Sequence, residues 1–345
     1  MPSDHTTIAI SQQLNNTISV DAPDEWWHDV VVVVIWTVAA IYGLLLNILT
    51  VFAVFRNRTM RRTVSYWFVL SLAFCDILML VICLVHVIPA SALHDNFVEV
   101  SETRSIVFMF LYDVVWYTGV IQLGVVAINR FISIIFPTSY KRLFCPSNTY
   151  VIVAMSYAVG IVVSVPSLFP CCHMVYDHRM WITIYSKDDS MYFLADVLVN
   201  SLSVLTMVLC YGAILVKVRR SHKSTRQYAG VASNRRTQPN KRELRLFLQF
   251  FVVSLVFLAT FVTWQWLPRI AASKWVYFVC TSMFFVNNAV NPTVYLIYNV
   301  MIRQEITNLL CGCCKAWPTW QRNGTTLNAS DENINLKNPH TAELS

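Results

Sequence analysis

Seven apolar runs, each long enough to cross a bilayer, restrict this chain to very few folds. They cover 30–55, 64–90, 105–134, 148–169, 191–217, 243–268 and 275–299, and a helix needs about 20 such residues to span the hydrocarbon. A chain of 345 residues with 56% hydrophobic and 13% charged side chains carries too much apolar surface for a soluble domain of its size. The expected fold is an all-α membrane protein, a seven-transmembrane-helix bundle with a short cytosolic amphipathic helix behind it.

Seven crossings put the two termini on opposite sides, and the basic residues say which side is which. The connectors 55–63, 130–147 and 217–245 and the tail after 300 hold 4, 3, 10 and 4 Lys and Arg, or 21 of the 26. The other side holds Arg104, Arg179, Lys187, Arg269 and Lys274. The expected topology is therefore an extracellular N-terminus and a cytosolic C-terminus in the plasma membrane. The net charge of +7 follows from topology, and nucleic acid is not needed as a partner. Met1 to Asp29 has no Lys or Arg and leads directly into a run of spanning length, so no cleavable signal peptide is expected. Asn15 stands in an Asn-x-Thr sequon on the outer side and is the expected glycan acceptor. The sequons at Asn57, Asn323 and Asn328 fall on the cytosolic side.

The sequence divides into an extracellular tail (1–29), a seven-helix domain (30–299), an amphipathic helix with a cysteine cluster (300–314) and a disordered cytosolic tail (315–345). No internal repeat or broken helix pair of the kind found in many secondary transporters is visible. The basic connector 218–242, with Gly230 and Pro239, is expected to be mobile, and Ser221, Ser224 and Thr225 offer it kinase sites. Cys311, Cys313 and Cys314 follow the amphipathic helix and are candidates for palmitoylation, with a zinc site lacking its fourth ligand as the rival. Cys171 and Cys172 lie in an outer loop, and neighbouring cysteines seldom bond to one another. His173 and His178 beside them offer metal ligands, although loop histidines are more often solvated. No metal, cofactor or catalytic group is called for.

Polar groups within a bundle core are costly, so each one asks for a role. Asn47, Asp76, Asn287, Asn288 and Asn291 fall at depths that let them meet. A network of Asn47, Asp76 and Asn291, bridged by water or sodium, suits a two-state switch; static interhelical hydrogen bonding is the simpler alternative. Pro292 favours the switch, because a proline within an apolar helix frees a backbone carbonyl that neighbours must satisfy. Asn291 and Tyr295, four apart, share a face. In the outer half of helix three, Tyr112, Asp113, Trp116 and Tyr117 are spaced to line a ligand cavity. Asp113 is available to a cationic ligand or to a bond within the bundle.

Gly43 and Asn47, Leu72, Ala73 and Asp76, Arg130, Tyr211, and Asn291, Pro292 and Tyr295 together resemble the pattern of rhodopsin-like G-protein-coupled receptors over essentially the whole membrane region. Asn129, Arg130 and Phe131 with Pro137 and Tyr140, and Arg242, Glu243, Leu244, Phe247 and Gln249 entering helix six, resemble nematode serpentine chemoreceptors, class x in particular. The resemblance implies that Arg130 engages a heterotrimeric G protein when helix six swings outward, with Tyr211 and Tyr295 supporting the open state; Arg130 as a plain positive-inside anchor is the alternative. It also implies an orphan chemosensory receptor, in a sensory neuron, for an unknown small-molecule or peptide ligand. A neuropeptide or amine receptor of the same fold is the runner-up, and a ligand-gated channel or a transporter stands further off.

The chain departs from that pattern in several places. Asn129 replaces the acidic residue before the arginine, so the charge pair that holds the resting state shut is absent, and higher basal activity is expected. Ser105 stands where the outer cysteine of helix three belongs, so the usual tether to the outer loop is missing and Cys171 or Cys172 is left to pair elsewhere or stay free. Tyr157 replaces a tryptophan in helix four, and helix five lacks its proline. Trp266, Leu267 and Pro268 imitate the helix-six toggle, but about 26 residues at 1.5 Å each already cross the bilayer by Pro268, so a helix stop at the interface is the favoured reading. Asp113 sits one residue beyond the aspartate of amine receptors, and Phe285 replaces an opsin's lysine.

Overall fold

The structure, a computed structural model, describes residues 26–94, 102–185, 190–227 and 241–310. The spanning helices are α1 (Trp26–Arg56), α2 (Val64–Leu93), α3 (Glu102–Ile135), α4 (Pro146–Ser164, continued by a 3-10 turn, Val165–Leu168), α5 (Ser190–Gln227), α6 (Lys241–Ile270) and α7 (Lys274–Tyr298). A hairpin of β1 (Met174–Asp177) and β2 (Ile182–Tyr185) lies between α4 and α5, and α8 (Val300–Leu310) follows α7. Six of these helices are long and apolar enough to cross a membrane. The seventh, α7, has 25 residues and is diluted by Asn287, Asn288 and Asn291.

The helices outrun the apolar windows, most of all α5, which continues to Gln227. Polar residues propagate a helix once it is nucleated, whereas only the apolar stretch is bounded by the hydrocarbon thickness. Within α2 the turn Cys83–Val87 widens to a π-helix just before Pro89, which cannot donate to the carbonyl four residues back.

α3 runs through the centre, against α2, α4, α5 and α6, while α7 packs on α1, α2 and α6. Small residues permit the closest approaches. A Cβ on Gly160 of α4 would run into Thr118 of α3, and one on Gly43 of α1 would meet Leu80 and Ala289 at 2.9 and 3.3 Å. The outer faces are inverted relative to a soluble protein. Val34, Val38, Leu45 and Phe52 on α1, and Leu194, Leu198, Leu202, Leu205 and Leu209 on α5, are exposed apolar residues at helical spacing, a surface that suits lipid and not water.

At the end away from Arg130, the hairpin packs on α3 through β1 and is pinned further by α1, α2 and α7. Trp181, fully buried at the hairpin turn with φ of 57°, donates its indole N–H to Asp29 of α1 at 2.9 Å. Its carbonyl accepts from Thr281 of α7 at 2.6 Å. Lys274 pairs with Asp29 at 3.0 Å and lies 3.9 Å over the Trp181 ring. Tyr176 and Ser91 of α2 hydrogen-bond at 2.8 Å. Ser105 is buried, and these contacts do the work of the tether that its identity removes. Cys171 and Cys172 are joined to each other as a vicinal disulfide. The expectation that Cys171 or Cys172 would pair elsewhere or stay free is thereby corrected; the two lie in a tight turn closed by the Cys172 N–H on the Phe169 carbonyl at 2.9 Å.

At the Arg130 end, the Asn57 side chain caps the single turn Arg58–Arg62 and donates to Glu305 of α8 at 2.8 Å. Lys217 caps the last carbonyls of α3, Ile134 and Ile135, at 3.1 Å each. Ile302 and Ile306 form the buried stripe of α8. The chain forms one compact unit to Ile306, and a second from Thr307, of which only Thr307–Leu310 are described. Asn15, Cys311, Cys313, Cys314 and the tail lie outside the described residues, as does the connector from 228 to 240.

Candidate functional site

Three linked regions run through the bundle from the hairpin to Arg130. The middle one is built around Pro292. Lacking an N–H, it leaves the Asn288 carbonyl without its helical donor, and the Asn47 side chain supplies one from α1 at 3.0 Å while also donating to Gly43 at 2.9 Å. Asn291 donates to Asp76 of α2 at 2.7 Å. Asn47 therefore reaches the α7 backbone and does not bond Asp76, so the expected triad is two separate links from α7 to α1 and α2. Asn287, Asn288, Asn291, Asp76 and Trp116 line a small cavity. It opens about 20 Å³ to the centre of a water-sized sphere, room for about one water.

Towards the opposite end from the hairpin, Arg130 is buried at 1% exposure, and its guanidinium lies 5.0 Å over the Phe250 ring of α6. Phe250 also meets Tyr295 at 6.2 Å, nearly edge-on. Tyr211 of α5 packs against Phe247 and Phe251 at 5.7 and 5.8 Å. Asn129 is also buried. Phe250 thus touches both Arg130 and Tyr295 and joins α6 to α3 and α7. A cation over an aromatic face, worth about 0.5–2 kcal/mol, links α3 to α6 here.

The third region is a pocket under the hairpin. Tyr112, Asp113, Trp116 and Tyr117 all line it, joined by Met174, Thr183 and Tyr185 of the hairpin, Asp196 and Asn200 of α5, Thr260, Phe261 and Trp264 of α6, and Phe284 of α7. Asp113 accepts from Tyr192 at 2.8 Å, and Asp196 from Tyr117 at 2.9 Å. Trp264 meets Phe284 edge-on at 5.3 Å, and Trp116 lies 4.8 Å from Phe284 and 5.8 Å from Phe257. Trp266 is 61% exposed, so the helix-six tryptophan that faces the interior is Trp264. α6 ends at Ile270, two residues past Pro268. Among the described residues no group of three or more His, Cys, Asp or Glu is placed to hold a metal.

Residues 37–299 match the family described as serpentine type 7TM GPCR chemoreceptor Srx. The chain belongs to the Srx family. Curated relatives include melatonin receptor type 1B-B of Danio rerio, 26% identical over 81% of this chain and 80% of the relative. Melatonin receptor type 1A of Ovis aries is 24% identical, with 78% and 74% covered, and cannabinoid receptor 1 of Xenopus laevis is 24% identical, with 87% and 67% covered. The crystal structure of squid rhodopsin superimposes with a TM-score of 0.68 at 15% identity, covering 84% of this chain and 89% of that one. The Srx chain thus has the rhodopsin-like seven-helix fold, a multi-pass membrane receptor whose relatives are receptors and not enzymes.

Three residues that matter in this Srx bundle are not evident from motif matching: Asp196, Asn200 and Phe250. The first two carried a readable signal. Two polar residues four apart in an apolar run share one helical face, and the rule that flags Asp76 flags them equally. Phe250 carries none, because one phenylalanine among Phe247, Phe250 and Phe251 is singled out only by what packs on it.

Proposed function

We propose that this protein is a chemosensory receptor of the plasma membrane of sensory neurons, with its N-terminus outside, which transmits the binding of a small extracellular molecule to a heterotrimeric G protein. The observation that carries the reading is the stack Arg130–Phe250–Tyr295, a buried cation closed over by α6 at the basic end of the bundle. Ligand entering the pocket under the hairpin shifts the equilibrium between this closed packing and one in which α6 leaves Arg130. Arg130 then faces the G protein, while Tyr211 and Tyr295 hold the opened cleft. Trp116 lines both the pocket and the polar cavity, so it is the direct mechanical link between ligand and α7. Relatives named for melatonin and cannabinoids support a small organic ligand over a peptide.

The test is nucleotide exchange on a purified G protein by receptor in lipid nanodiscs. Arg130→Ala and Tyr295→Ala should reach the cell surface and lose exchange; full exchange by both variants would overturn the reading.

A further inference from the structure

The pocket under the hairpin presents acceptors without a counter-charge. Asp113 and Asp196 are 3% and 8% exposed, face the same cavity from α3 and α5, and lie close enough to act on each other electrostatically. Their partners are neutral: the phenols of Tyr192 and Tyr117, the Asn200 amide at 2.9 Å from Asp196, and the Ser167 hydroxyl beside Asp113. None of the described lining residues is Lys, Arg or His. Asn200 adds an independent sign. It is 2% exposed, its N–H groups are used within α5, and its side-chain oxygen has no partner while it lines the cavity.

Ionising two buried carboxyls side by side is costly, and a cation between them offsets that cost. The rest of the wall, Trp116, Trp264 and Phe284 with Tyr112 and Tyr185, offers aromatic faces that attract cations and cover hydrocarbon.

We infer that the ligand is a small organic amine, its ammonium held between Asp113 and Asp196 with the Asn200 oxygen as a further acceptor, and its carbon skeleton packed on Trp116, Trp264 and Phe284. This rests on the receptor reading above for its signalling consequence but not for the binding itself. Carboxylate and phosphate compounds are excluded by the same charges.

Binding is read as a ligand-dependent rise in melting temperature of the full chain in nanodiscs, without G protein. The probes are phenethylamine and 1,5-diaminopentane, against the neutral 2-phenylethanol and 1,5-pentanediol. The amines should stabilise and the alcohols should not. Asp113→Asn and Asp196→Asn should each weaken amine binding roughly tenfold or more. Tyr117→Phe, which removes a competing neutral donor from Asp196, should tighten it, so the proposal stays exposed even if an Asn variant does not fold. Equal response to amine and alcohol, or no response to either amine, overturns the inference, and Arg130-dependent basal exchange in the same discs would show that the receptor reading survives it. Amine binding that Asp196→Asn abolishes, with no exchange under any condition, would overturn the receptor reading and leave the amine site standing.

Discussion

Phe250 is the aromatic ring on which the Arg130 guanidinium rests. With Asn129 before it, Arg130 has no neighbouring carboxylate in sequence, and the sequence alone points to a loosely held resting state. The ring of Phe250 lies against the guanidinium, and in the proposed mechanism that contact keeps α6 inward. Phe250→Ala should raise ligand-independent nucleotide exchange on the order of tenfold, the population change that about 1.4 kcal/mol produces. Phe250→Trp, with a stronger face for the cation, should lower it. Exchange by Phe250→Ala at the wild-type level would mean that the resting state is held elsewhere. Asn47 works differently, because its amide stands in for the N–H that Pro292 lacks. Asn47→Leu should lower the melting temperature of the bundle, at a cost of about 1 kcal/mol, and Pro292→Ala should relieve much of that loss by restoring the helical donor.

Among the elements, the hairpin is the clearest departure from what motif reading provides. Its two short strands carry no strong alternation, and loops of this kind take their shape from what they rest on, so β1 and β2 were not legible. Their anchors were not legible either, since Asp29, Trp181 and Lys274 are separated by about 150 and 90 positions and meet only in three dimensions. Asp29→Asn should weaken the Lys274 pair and lower the apparent melting temperature without changing surface topology, measured on the full chain in nanodiscs. The close crossing of α3 and α4 at Gly160 is as local as the hairpin is distributed. Gly160→Val should reduce surface expression sharply, since its side chain would push on Thr118 and the backbone of Val114; normal expression with normal stability would show that the two helices part easily.

For the whole molecule, the seven runs and their order were legible because bilayer thickness sets one length for every crossing. Helix ends were not, because polar residues extend a helix at no cost visible in hydropathy. The polar positions of α1, α2 and α7 were legible as costly residues, yet their pairing was not: Asn47 and Asp76 bind different parts of α7, a choice made by rotation of each helix about its axis. The expected orientation rests on the 21-to-5 division of basic residues, and an epitope on the N-terminus should be accessible to antibody on intact cells while one on the C-terminus is not. The reverse labelling would remove the receptor reading altogether.

The clasp of Asp29, Trp181 and Lys274 has one more consequence. A loop fastened to its bundle through an ion pair, a hydrogen bond and a ring, with no covalent strap to α3, can be unfastened and refastened by the medium. Mild reductant should leave that attachment in place, whereas strong brine should slacken it and quicken traffic through the mouth below.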